Sequence, residues 1–169
     1  MMGDQGMKIL ILIMAAFFMS ATAAAAVPSV CESCHGALDR KNSEPVSLWK
    51  RDIHRDAGIG CHDCHGGDPG SLESAMDPSR GFVGAPQGET LVRLCGGCHS
   101  DSLSMPDPTM ATDQLDQFMS GPHSTTGEGD GPTCVTCHQS HGIYRVSDPS
   151  SPVFKTRIAA ICLKCHGEE

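Results

Sequence analysis

Large apolar side chains are scarce in this chain. Its 169 residues hold one Trp, one Tyr and five Phe, an aromatic share of 4%. Phe17 and Phe18 sit in an N-terminal apolar run, which leaves Trp49, Phe82, Phe118, Tyr144 and Phe154 for everything after it. With 19 Gly and 11 Pro besides, side-chain packing alone cannot repay the entropy of ordering the chain. Basic charge is also short: 12 Lys and Arg against 20 Asp and Glu give a net charge of −8. That balance argues against nucleic acid and anionic membrane faces and favours steering towards basic partners. Beyond the N-terminus, no apolar run is long enough to cross a bilayer.

The N-terminal exception runs from Ile9 to Met19 and is followed by "SATAAAA" with an Ala24-x-Ala26 site. A short apolar core with a small-residue exit predicts a secretory signal peptide over residues 1–26, with Met7 as an alternative start. The competing reading is an uncleaved anchor, since the stretch from Ile9 to Val30 just reaches spanning length. Ser20, Thr22 and Pro28 dilute it where a spanning helix is most apolar. Asp4 and Lys8 leave together, so an exported chain beginning at Val27 keeps its charge of −8. The expected location is the periplasm or the cell exterior.

What the chain has in quantity is cysteine in pairs, each pair followed at once by histidine. The five motifs are "CESCH" (Cys31, Cys34, His35), "CHDCH" (Cys61, Cys64, His65), "CGGCH" (Cys95, Cys98, His99), "CVTCH" (Cys134, Cys137, His138) and "CLKCH" (Cys162, Cys165, His166). C-x-x-C-H is the attachment site of c-type haem. Two thiols three residues apart on one helical turn reach two vinyl groups, and the next residue sets its imidazole on the iron. A disulfide framework would explain an even cysteine count but not the histidines, and zinc sites would use the pairs two at a time, which five does not allow. Five covalently bound haems c are therefore expected, on motifs that recur every 28 to 39 residues. At that density the cofactors supply the missing core. The fold class expected is mainly α with extensive irregular loops and little or no β-sheet.

The sixth iron position decides between carrier and enzyme. Four histidines lie outside the proximal positions: His54, His62, His123 and His141. Trp49-x4-His54 precedes the second motif and Phe118-x4-His123 precedes the fourth, which is an internal repeat. Ser43 and Pro45 can start a helix with Val46, Trp49 and Ile53 on one side that ends by Gly58. Asp113 can start another with Leu115, Phe118 and Met119 on one face, ending at Gly121-Pro122. Trp49 and Phe118 read equally well as plain packing or as haem contacts. His54 and His123 are expected distal ligands. His141, three residues past a proximal ligand, would point at a neighbouring haem from a continuing helical turn. His62 occupies an x position facing away from its own haem and is expected to serve another.

The organisation expected is a signal peptide at 1–26, an N-terminal haem unit at 27–42 and two two-haem modules at 43–110 and 111–169, with 27–169 one compact domain. Four distal histidines leave one of five haems short. Met76, Met105, Met110 and Met119 are the internal candidates, Met105 lying nearest a motif; a partner's histidine, the Val27 amine and an open position are the others.

"GPTCVTCHQSHGI" through "DPSSPV" and "CLKCH", with "SGPH" upstream and "LCGGCHSD" earlier, resembles the multihaem cytochrome c superfamily that includes hydroxylamine oxidoreductase, octahaem tetrathionate reductase and related electron-transfer cytochromes. The likeness covers most of residues 46–166. It implies that His123 and His141 are distal ligands and that haems pack in parallel and perpendicular pairs. The chain lacks the C-x-x-C-K site of cytochrome c nitrite reductases, is much shorter than the octahaem enzymes, and has only Tyr144 to imitate the tyrosine link of hydroxylamine oxidoreductase. The leading expectation is thus an electron carrier of anaerobic respiration, between a quinol-oxidising membrane cytochrome and a terminal reductase or outer-membrane conduit. The alternatives are a small reductase with one open haem for nitrite, hydroxylamine or a sulfur oxyanion, and a polymerising filament cytochrome. No stable membrane insertion after cleavage is expected, and a homo-oligomer remains open.

Overall fold

The computed structural model describes residues 29–105, 107, 109–124 and 131–167; the expected signal peptide and the Val27 amine lie outside them. Helices and loops make up the described residues, and none of them is in a β-strand. The helices are short: α1 (Val30–Gly36), α2 (Arg40–Trp49), α3 (Ile53–Asp56), α4 (Cys61–His65), α5 (Gly88–His99), α6 (Gln114–Ser120), α7 (Cys134–His138) and α8 (Ile158–His166). A 3-10 turn at Pro78–Arg80 interrupts the long loop between α4 and α5. No described helix is long and apolar enough to cross a membrane.

Polar side-chain caps set the first three helix starts. The side chains of Ser29, Asp39 and Asp52 accept from the backbone N–H groups of Cys31, Asn42 and His54, opening α1, α2 and α3. The expected single helix over residues 43–58 is instead two. α2 starts earlier, at Asp39, and carries Pro45 within it. Asp52 adopts an extended conformation and caps a separate turn, α3. An Asp that satisfies a new helix start competes with helix continuation, which is why the run breaks there. The second expected helix forms as read, from Asp113 to Gly121.

Among the described residues, the buried hydrophobic side chains are Val46, Ala75 and Val92. So small a core cannot offset chain entropy, as the composition implied. Helices touch in few places. α1 packs on α2, where Gly36 meets Val46. α5 packs on α6, where a Cβ at Gly96 would lie 2.8 Å from Leu115. α1 also touches α4, and α5 touches α7. α2 runs through residues 42 and 43, where a boundary was expected.

The repeat is visible in the backbone. α4 and α7 are each five residues long, and in each the third helical residue's side chain accepts from the N-cap N–H: Asp63 from Gly60 at 2.7 Å, Thr136 from Thr133 at 2.9 Å. Each stops at a residue of positive φ, Gly66 at 69° and Gln139 at 72°. The expected continuation of α7 to His141 therefore does not occur; the chain turns at Gln139. Among the helices that carry motifs, α5 and α8 are the longest, and each carries its motif at its C-terminal end.

Candidate metal centres

Each C-x-x-C-H motif lies on a helix, α1, α4, α5, α7 or α8 in chain order, with its histidine at or next to the last helical residue. One turn therefore carries both thiols, and the imidazole comes next. All ten cysteines are free of disulfides. Among the described residues no three His, Cys, Asp or Glu side chains converge to hold a metal by themselves. A haem needs less, because the macrocycle supplies four ligands and the protein only the axial two.

The axial arrangement is where the structure is most specific. His54 faces His99 with ring centres 6.0 Å apart and planes at 86°. His65 faces His141 at 6.0 Å and 12°. His123 faces His166 at 6.2 Å and 44°. Two imidazoles on opposite sides of one metal, each bonded at about 2 Å with its ring centre roughly 1.2 Å behind the nitrogen, stand roughly 6 Å apart. All three separations fit that spacing, and in each pair one ring comes from a motif and the other from outside it.

The pairs cross the sequence in an ordered way. His54, upstream of the second motif, faces the histidine of the third; His123, upstream of the fourth, faces that of the fifth. His141, beyond the fourth motif, faces the histidine of the second. Among the described residues no imidazole faces His35 or His138 in this way. His62 is not brought into a pair: its Nδ1 is buried against Gly60 without a hydrogen-bond partner, and its Nε2 lies 3.7 Å from Asp63. Of the methionines, Met76, Met110 and Met119 are exposed and Met105 is half-buried.

The surroundings suit neutral ligands. Burial holds His99, His138 and His141 below the ordinary imidazole value, and the neighbouring His54 and His65 add to this at His99 and His141 respectively. A neutral ring keeps the lone pair that binds a metal. Two rings are fixed through Nδ1: His65 donates to the carbonyl of Gly84 at 2.6 Å, and His54 to Asp52 Oδ1 at 2.9 Å. Neither partner was read from the sequence. Asp52 left a signal in hindsight, a carboxylate two residues before a histidine at a helix start, whereas Gly84 acts only through its backbone.

Successive motifs are neighbours in space. The neighbouring Cys134 thiol and burial push Cys95 up, and Cys95 in turn draws Cys134 down, to about 7. Cys61 is raised by burial and then by Cys31, Cys64 by burial, Asp63 and Cys98, and Cys137 by burial and Cys162. These sulfurs stand for the thioether sulfurs of the attached cofactor, so their proximity marks where attachment points adjoin.

Comparison with known proteins agrees with this chemistry. Over 117 residues the chain is 27% identical to the C-type polyheme cytochrome OmcB of Geobacter sulfurreducens, in two strains, an alignment covering 68% of this chain and 14% of the relative. The chain thus spans about a seventh of the length of the curated relatives it matches. No solved structure matches it. These comparisons do not bear on the likeness to hydroxylamine oxidoreductase. Residues 53–167 match the family model described as cytochrome c3, and with more than half its length matched, the chain belongs to that family of multihaem c-type cytochromes, whose covalently bound haem c carries electrons.

Proposed function

We propose that the protein is a five-haem electron relay whose haems succeed one another in space in the order of their motifs. The observation that carries the reading is the common separation of three imidazole pairs. In it, His99, His65 and His166 are the proximal ligands of haems capped by His54, His141 and His123. His35 and His138 are the proximal ligands of the other two. Each haem iron, when bound, accepts and releases one electron, and paired imidazoles favour lower potentials than a His/Met pair. The chain's own work is to hold the thioether cysteines, fix ring orientations through Asp52 and Gly84, and space neighbouring sites.

Adjacency of Cys31 with Cys61, Cys64 with Cys98, Cys95 with Cys134 and Cys137 with Cys162 supports a linear order. Its two ends are the first and last motifs. The last is open to a partner: Cys162, Cys165 and His166 are exposed, and so are Ile158 and Leu163 beside them. The acidic chain would receive or deliver electrons in the periplasm or outside the cell, between a quinol-oxidising cytochrome and a terminal reductase or outer-membrane conduit. The c-type polyheme relative supports the haem-based relay and leaves the setting to this proposal.

Potentiometric titration followed by EPR tests the reading. Three low-spin sites insensitive to added cyanide support it; fewer than three would end it. His35 and His138, which no imidazole faces, favour a second reading in which one of their haems binds a small ligand. A high-spin signal that shifts with nitrite would establish that activity.

A further inference from the structure

Asp52 is 3% exposed and the most deeply buried charged residue among those described. Its carboxylate accepts three hydrogen bonds. Oδ1 takes the backbone N–H and the Nδ1–H of His54, both at 2.9 Å, and Oδ2 takes the N–H of Ile143 at 2.8 Å. The Ile53 N–H donates to the Ile143 carbonyl at 2.9 Å, so the two strips of chain are tied on both sides of the carboxylate. Ile143 lies two residues beyond His141. Gly142, at φ 69°, lets the backbone approach Leu48, where a Cβ would come within 3.4 Å of the leucine side chain. Asp52 thus stands between the caps of two neighbouring sites and touches one of them directly.

All three contacts come from N–H groups, which a carboxylate can only accept, so the geometry holds the group as an anion. The group is a fixed buried anion against the outer nitrogen of an axial imidazole. Such a partner makes the imidazole a stronger donor and, in a poorly screened site, stabilises ferric over ferrous iron. His65 has only a neutral carbonyl at the same position. The hydrogen bond also fixes the rotation of the His54 ring, which stands at 86° to His99 while the His65 and His141 planes lie within 12°.

Resting on the ligand pairs proposed above, we infer that Asp52 is a positioning residue that makes the site between His54 and His99 the most reducing of the three two-imidazole sites and holds its ring planes crossed. The step it tunes is one-electron reduction by a partner redox protein. One electron enters the iron, no bond forms or breaks, and the proton stays on Nδ1.

The crossed planes give the experiment its handle. Near-parallel imidazole planes split the iron d orbitals that overlap the ligand π systems; crossed planes leave them nearly degenerate, so the ferric low-spin EPR signal is far more anisotropic. In the wild-type holoprotein, redox titration followed by EPR is expected to show the highly anisotropic signal vanishing last on reduction. In Asp52→Asn, that site's ferrous-to-ferric ratio at fixed potential should rise about tenfold, equivalent to about 59 mV for one electron. The rhombic signal of the parallel pair should shift less, and the signal of the His123–His166 site not at all. A wild-type protein with no strongly anisotropic signal would overturn the ligand pairing and this inference together. An anisotropic signal that is not the last to be reduced, or that Asp52→Asn leaves in place or moves equally with all others, overturns the role of Asp52 alone. If the Asn variant fails to mature, the wild-type order of reduction decides.

Discussion

The imidazoles of His65 and His141 lie nearly parallel, with 12° between planes and 6.0 Å between centres, although one closes the second motif and the other lies beyond the fourth. A haem bound between them would join the segment of the second motif to the segment beyond the fourth as a bolt joins two plates. Because few apolar side chains are buried, such cross-links carry the stability that a hydrophobic core carries elsewhere. Replacing His141 by Ala should therefore convert one low-spin site to high-spin and loosen the contact of residues 141–143 with residues 48–53. EPR reads the first effect and hydrogen exchange at Ile53 and Ile143 the second.

His54→Ala and His123→Ala should each remove a different low-spin signal, the first the most anisotropic one. His62→Ala should remove none, because the His62 ring faces no other imidazole. Loss of a low-spin site in His62→Ala would place that residue on an iron and correct the ligand set.

Asp52 contributes to stability as well as to potential. Asp52→Ala leaves the Ile143 N–H without an acceptor and the α3 start uncapped. The expected loss is about 1–3 kcal/mol, seen as a lowered midpoint in urea unfolding with haem content unchanged. Asp52→Asn keeps one acceptor and should lose less.

Two glycines are required for different reasons. A Cβ at Gly66 would fall 1.9 Å from the Gly81 carbonyl oxygen, and its φ of 69° disfavours side chains besides. Gly66→Ala should cost at least about 1–3 kcal/mol and lower the yield of mature protein. At Gly96 the obstacle is the flexible Leu115 side chain, so Gly96→Ala should cost less and Gly96→Val about 1–3 kcal/mol by overpacking. Thermal melts of the three variants check the order.

The sequence spoke clearly wherever chemistry needs adjacent residues. The motif turns α1, α4, α5, α7 and α8 and the helix after Asp113 are dictated by local spacing, and the paucity of strands by a chain without alternating apolar runs. His54, His123 and His141 were legible as ligand candidates because each stands at a repeated or motif-adjacent position. Their partners were not, since the faces that meet come from segments brought together only by the fold. The break at Asp52 was missed because one capping carboxylate outweighed an apolar periodicity. The turn at Gln139 was missed because a positive φ at a non-glycine residue leaves no mark in sequence. His62 looked like a ligand by count, and its ring faces no other imidazole.

In the proposed function, five covalent haems stand in for a core. Intact mass spectrometry of the purified mature protein tests that most directly, paired with a haem-to-protein ratio from absorbance of the pyridine complex. A mass exceeding the polypeptide by five haems, with a ratio of five, is the predicted result. A mass equal to the bare chain, or a gain of fewer haems with intact motifs left unmodified, would contradict it.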